Sequence, residues 1–243
     1  MTATQTILWV VLPYVTAVTF AVGMFWRYRY DAYGWTTRSS QMYESRLLRV
    51  GSPLFHFGIL AVLGGHVIGL LVPASWTQAL GVSSEAYHAV AATAGAVAGV
   101  AAAAGLALLV ARRRFTRSIL QVTTPADKAM YLVLGLVIVL GLVNTVGLNA
   151  LGMGHDYRSD VAPWVRSILL LQPRPDLMAA APPTFQAHAL AALALFAMWP
   201  FTRLVHVFSV PLGYVARPYI IYRTRDPRPG VRVPRRGWEQ PGG

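Results

Sequence analysis

The chain has 243 residues, 55% of them hydrophobic and only 12% charged, with a mean hydropathy of +0.48. Soluble domains carry about 25% charged residues, so a soluble class is excluded and one helical membrane domain without a separate soluble module is expected. The lack of cysteine excludes disulfides, thiolate-bound zinc and thiolate-bound iron–sulfur clusters within the chain, and the net charge of +12 has to be judged by where it sits.

Crossing about 30 Å of hydrocarbon takes roughly 20 helical residues, and five apolar runs are long enough. The first, 7–26, has no basic residue before it and is too long for a signal-peptide core, so it reads as a retained helix. Trp9, Trp26, Tyr28 and Tyr30 stand around its ends, where aromatic rings favour the headgroup region. The second, 54–72, contains LFHFGILAVLGGHVIGLL and is followed by Trp76. The third, 89–111, is almost all Ala, Gly and Val; such small residues let helices approach closely, and tight packing on a neighbour is expected. The fourth is 130–148.

Between the fourth and fifth runs, 149–186 contains SDVAPWVRSILLL. Asp160 can cap, Pro163 suits a first turn, and Trp164, Ile168 and Leu171 recur at helical spacing, which predicts a short surface helix, a connector or a lid. The fifth run, 187–204, is followed by Phe208 and has Trp199 near its end. The bundle domain is expected over 1–225. The Pro-, Gly- and Arg-rich tail, 226–243, cannot build a fold alone and suits acidic lipid headgroups or a cytoplasmic partner.

Eighteen of the 21 Lys and Arg residues fall in 27–53, 112–128 and from Arg203 onward; Arg158, Arg166 and Arg174 alone occupy the opposite side. The positive-inside rule then puts the N-terminus outside and the C-terminus in the cytoplasm of a multi-pass inner-membrane protein. Topology explains the charge, and nucleic acid is not expected as a partner.

Histidine is costly inside a bilayer unless paired. His88 and His155 fall at a helix end and in a loop, where a surface role suffices. His56 and His66 lie on the second run, and His188 and His206 on or at the ends of the fifth. One such histidine is ordinarily an interhelical hydrogen bond. Two per helix suit a different chemistry, haem iron held axially by imidazoles from facing helices. The two runs are antiparallel, so matching depth pairs His56 with His206 (inner) and His66 with His188 (outer), giving two stacked haems.

At about 100° per residue, 18 residues return His206 to the face of His188, while ten leave His56 and His66 about 80° apart. The rises, about 15 Å and about 27 Å, disagree, and Pro200 is the expected bend. Gly64 and Gly65 beside His66 suit either clearance for a flat macrocycle or close helix packing. Arg112, Arg113, Arg114 and Arg203 suit topology, and Arg203 and Arg112 also suit contacts to haem propionates.

RSSQM (38–42), LFHFGIL (54–60) with GGH (64–66), and PFTRLVHVFSVP (200–211) resemble the gamma subunit of membrane-bound respiratory nitrate reductase, as do the five spans and the histidine spacings. The resemblance covers nearly the whole chain up to about Arg225. It implies an all-α, five-helix di-haem cytochrome b that oxidises quinol near the outer haem. Electrons would pass inward to an iron–sulfur subunit and a molybdenum catalytic subunit in the cytoplasm, and nitrate chemistry would not be on this chain. By resemblance the quinol pocket lies near His66 at the start of the third helix. There family members can carry a lysine, whereas this chain has Glu85, Ala86, Tyr87 and His88, so Tyr87 or His88 would substitute. A cytochrome b of another quinone-linked reductase, or a haem-free membrane anchor or transporter, are the competing classes.

Overall fold

Apolar composition and small residues produce long helices with few polar interruptions. A computed structural model describes residues 2–31 and 40–209; the predicted tail 226–243 and the 1–225 boundary lie outside the described residues. Five helices are long and apolar enough to cross a membrane: α1 (Ala3–Tyr30), α2 (Arg46–Leu71), α4 (Ser84–Phe115), α6 (Pro125–Ala150) and α9, whose span runs Pro183–Phe201. Short helices join them: α3 (Ala74–Ala79), α5 (Arg117–Gln121), α7 (Val161–Leu169) and α8 (Pro175–Ala180). All five expected spans are present, so the chain is an all-α membrane-spanning bundle.

The small residues of α4 act as expected. Gly58 of α2 lies against the backbone of Ala102, and Gly105 of α4 lies against the backbone of Phe55. A Cβ at Gly51 would stand 3.0 Å from Leu108 Cβ. Where lipid already solvates apolar side chains, such backbone approach and the dispersion contacts it permits hold helices together. Leu106, Met130, Leu134, Ile138 and Leu195 from α4, α6 and α9 form the buried core beside this seam.

At the opposite end from the arginine-rich loops, the predicted surface helix is α7. Asp160 accepts from the Val161 N–H and so caps it. Trp164 is buried, donates its indole N–H to the Trp9 carbonyl at 3.0 Å and meets Trp9 edge-on, with ring centres 5.8 Å apart. Arg158 donates to the Val72 carbonyl and Thr77 Oγ1, and Arg166 to the Leu70 carbonyl. These cations satisfy the last carbonyls of α2, where the helix dipole favours positive charge. Leu171, expected within the helical pattern, lies just past its end with a φ of +57°.

The fifth run departs from expectation. Its α-helix ends at Met198, a 3-10 turn covers Trp199–Phe201, Thr202 is extended, and a second 3-10 segment runs Arg203–Ser209. His206 is therefore not on the same helix as His188, and the 18-residue face argument fails. Pro200 sits in the 3-10 turn rather than bending an α-helix. The break is held by α1: Arg27 donates to the Pro200 carbonyl at 3.1 Å, and Gly23 leaves room for the Pro200 ring. This redirection removes the need for a rise on the fifth helix to match the shorter one on α2.

Candidate functional site: two facing histidine pairs

His56 and His66 stand ten residues apart on α2; their partners come from α9 and from the 3-10 segment beyond it. The ring centres of His56 and His206 are 6.1 Å apart, and those of His66 and His188 are 6.0 Å apart. The depth-matched pairs expected from sequence are therefore brought together. The planes cross at 69° in the first pair and at 31° in the second.

The imidazoles are oriented by their own backbones. His56 Nδ1 lies 2.7 Å from the Ser52 carbonyl, His66 Nδ1 2.8 Å from the Val62 carbonyl, and His206 Nδ1 2.6 Å from the Arg203 carbonyl. Donation from Nδ1–H to a carbonyl leaves Nε2 as the lone-pair nitrogen, the arrangement usual for a metal-binding histidine. His188 differs: its Nδ1 is buried with no partner at hydrogen-bond geometry.

The residues present fit a metal between each pair. Two metal–nitrogen bonds of about 2 Å each, with each ring nitrogen about 1 Å from its ring centre, place the centres of two axial imidazoles about 6 Å apart. Gly64 and Gly65 fit as well. A Cβ at either would meet nothing within 4 Å, so neither serves close helix packing within the chain; Gly51 and Gly58 do so on α2, and Gly69 packs against Tyr157. Among the described residues no three His, Asp or Glu side chains converge as a metal cluster.

At the basic end, a cavity of about 240 Å³ is lined by Ser52, His56, Arg112, Arg113, Arg203 and His206, among others. Arg112 is buried and largely committed: Nε pairs with Glu44 at 2.6 Å, Nη1 donates to Ser40 Oγ, and Nη2 to the Ser40 and Glu44 carbonyls. Burial alone would raise the Glu44 carboxyl; hydrogen bonds from the Leu47 N–H and Arg112 outweigh it and hold the group below the ordinary glutamate range. Arg203 forms a two-pronged pair with Asp127, both bonds 2.7 Å. Arg113 donates to Tyr131 Oη and Thr123 Oγ1. Among the described residues it has no carboxylate partner, and it lines the cavity wall.

The quinol candidates diverge. Tyr87 lies under the Arg158 guanidinium, 3.8 Å from its ring centre. It also faces Tyr157, whose phenol is pushed up, first by burial and then by Tyr87. Tyr157 Oη occupies the space a Cβ on Gly69 would need, three residues from His66. Tyr87 is thus linked toward the His66 end of α2. His88 instead lies 3.1 Å from Asn149 Oδ1 and is tied to α6.

Sequence reasoning missed Glu44, Ser40 and Asp127, the partners of the arginines, and it missed Gly141. A Cβ on Gly141 would stand 3.2 Å from His188 Cε1, so this glycine seats the His188 ring. A lone glycine in an apolar helix carries no signal of that role until the facing residue is known.

Residues 5–225 match the family model described as nitrate reductase gamma subunit. The chain is 43% identical over 220 residues to the nitrate reductase gamma chain of Bacillus subtilis, covering 90% of this chain and 98% of that protein. It is 32% identical over 216 residues to the respiratory nitrate reductase 1 gamma chain of Escherichia coli, covering 88% and 95%. It is 57% identical over 231 residues to the nitrate reductase-like protein NarX of Mycobacterium tuberculosis, and there it spans 95% of its own length but only 35% of NarX. With five membrane-length helices, two facing histidine pairs and a family match over most of its length, the chain belongs to the nitrate reductase gamma subunit family.

Proposed function

We propose that the chain is the quinol-oxidising, membrane-anchoring cytochrome b subunit of a nitrate reductase complex. The observation that carries this reading is the pair of histidine couples, each with ring centres about 6 Å apart, stacked along α2. His56 with His206 and His66 with His188 would hold two haem b groups. When bound, such groups supply one-electron transfer, and held by two imidazoles each they would suit electron passage rather than nitrate or oxygen chemistry.

The chain's own residues do the rest. The Nδ1 hydrogen bonds of His56, His66 and His206 hold the rings in one tautomer and orientation. Gly64 and Gly65 keep the α2 surface open beside His66. Near the basic end, Arg113 offers charge for a propionate; Arg203 and Arg112 would contribute while paired to Asp127 and Glu44.

Quinol would bind at the His66 end, toward Tyr87 more than His88, because the Tyr87–Tyr157 contact leads back to Gly69 of α2. The basic end would face the cytoplasm and receive the iron–sulfur and molybdenum subunits. Protons from quinol would then leave on the outer side while electrons moved inward, making turnover electrogenic. The test is quinol oxidation by the purified complex in sealed proteoliposomes. Proton release on the side opposite the basic loops supports the reading; release on the basic side contradicts it.

A further inference from the structure

Three of the four paired histidines anchor Nδ1 on a backbone carbonyl; His188 does not. Two other buried polar atoms without hydrogen-bond partners lie on the same two helices, α6 and α9: Asn144 Oδ1 and Thr184 Oγ1. Thr184 is one turn before His188 on α9, and Asn144 is one turn after Gly141, the residue against the His188 ring. Helical side chains lean toward the N-terminus of their helix. On these antiparallel helices the His188 ring therefore leans toward Thr184, and Asn144 leans toward Gly141, so the groups converge.

Contact across the seam is direct: Asn144 Nδ2 donates to the Thr184 carbonyl at 3.4 Å. Asn144 is only 7% exposed and is the second residue of a π-turn, Val143–Gly147. Such turns inside α-helices are frequent at functional sites.

A buried amide oxygen, a buried hydroxyl and a buried ring nitrogen, none with a side-chain partner at hydrogen-bond geometry, are costly to leave so unless something joins them. A water satisfies such groups when two to four polar partners surround it. We propose that Asn144 and Thr184 are positioning residues for His188: they hold one ordered water that accepts the His188 Nδ1–H and donates to Asn144 Oδ1. The water does for His188 what the Ser52, Val62 and Arg203 carbonyls do for the other three histidines. A hydrogen bond accepted from Nδ1–H makes the coordinating nitrogen more basic, so the pair would tune the haem at the end remote from the basic loops. This inference rests on the axial role proposed for His188. The Val137 backbone is the alternative anchor, since it also lies close enough to act on the ring.

Redox titration of both haems in the purified complex tests this, using Asn144→Leu, Thr184→Val and Thr184→Ser. Loss of the bridge makes the His188 nitrogen less basic and favours ferrous iron. Both Asn144→Leu and Thr184→Val should then shift the His66–His188 haem toward its reduced form by roughly threefold to tenfold, the worth of one hydrogen bond. The His56–His206 haem should not move, and Thr184→Ser should restore the wild-type value. Loss of that one haem in Thr184→Val with retention in Thr184→Ser also supports the bridge. An unchanged titration in Asn144→Leu and Thr184→Val overturns it and assigns the anchor to Val137. Two intact haems in His188→Ala would instead overturn the axial assignment on which it stands.

Discussion

The imidazoles of His56 and His206 face each other with ring centres 6.1 Å apart, although His206 lies beyond the end of its membrane helix on a separate 3-10 segment. The pairing depends on the break at Thr202, and the break is held from two sides. Arg27 binds the Pro200 carbonyl, and Arg203 binds Asp127. Asp127 is itself fixed in the capping box that starts α6. His206, the proposed haem ligand, is thus placed by ion pairs and caps at a membrane-end turn rather than by helix periodicity.

Breaking one buried partner of an ion pair costs about 3–5 kcal/mol because the other charge is left stranded. Asp127→Asn should therefore lower stability by about 3 kcal/mol. It should also weaken retention of the His206-bound haem before the other. Thermal unfolding followed at the haem absorption band checks both, with the spectrum of the remaining haem as the internal reference.

The ring angles predict two distinguishable ferric centres. Bound to a haem iron, imidazoles at 69° would leave its two π-type orbitals close in energy, whereas imidazoles at 31° would split them further. Electron paramagnetic resonance should show two low-spin signals. The more anisotropic one should disappear in His206→Ala and the less anisotropic one in His188→Ala.

Glycines of α2 and α6 should respond according to what faces them. Gly58→Leu forces apart the backbones of α2 and α4, and overpacking of this kind costs about 1–3 kcal/mol or more. Gly141→Val pushes on the His188 ring and should release one haem while leaving the bundle folded. Gly64→Ala meets open space in the chain, so a fall in haem content without loss of thermal stability would mark its clearance role. Haem-to-protein ratio and melting temperature, measured together, separate the three cases.

Acid should loosen the Glu44–Arg112 clasp late. The Glu44 carboxyl in the folded chain lies below its unfolded value, so its contribution is fully present above the unfolded value of about 4.3. That contribution is lost as pH falls through the folded value. Glu44→Gln should therefore melt earlier than wild type at neutral pH, and the gap should close below about pH 4. Melting curves from pH 7 down to pH 3 check the sign.

The spans and the histidine pairs were legible because hydropathy and the cost of burying imidazole act locally, within one helix length. Depth matching on antiparallel runs then needed no coordinates. The turn at Thr202 was not legible, since nothing in TRLVHVF forbids a continuing helix; contacts from Gly23, Arg27 and Asp127 decide it. In sequence the arginines suit topology or propionate contacts; that Ser40 and Glu44, from a distant segment, enclose Arg112 leaves no local trace. Gly141 and Asn144 carried no signal at all, because their roles exist only against His188 and Thr184 on another helix.

The proposed function requires two haems on this chain that quinol can reduce. The direct measurement is anaerobic addition of a quinol to the purified complex, followed by optical spectroscopy with haem and protein quantified. The expected result is b-type reduced bands corresponding to two haems per chain, both reduced by quinol and both low-spin when oxidised. A chain with no haem, or haem that quinol leaves oxidised, would contradict it.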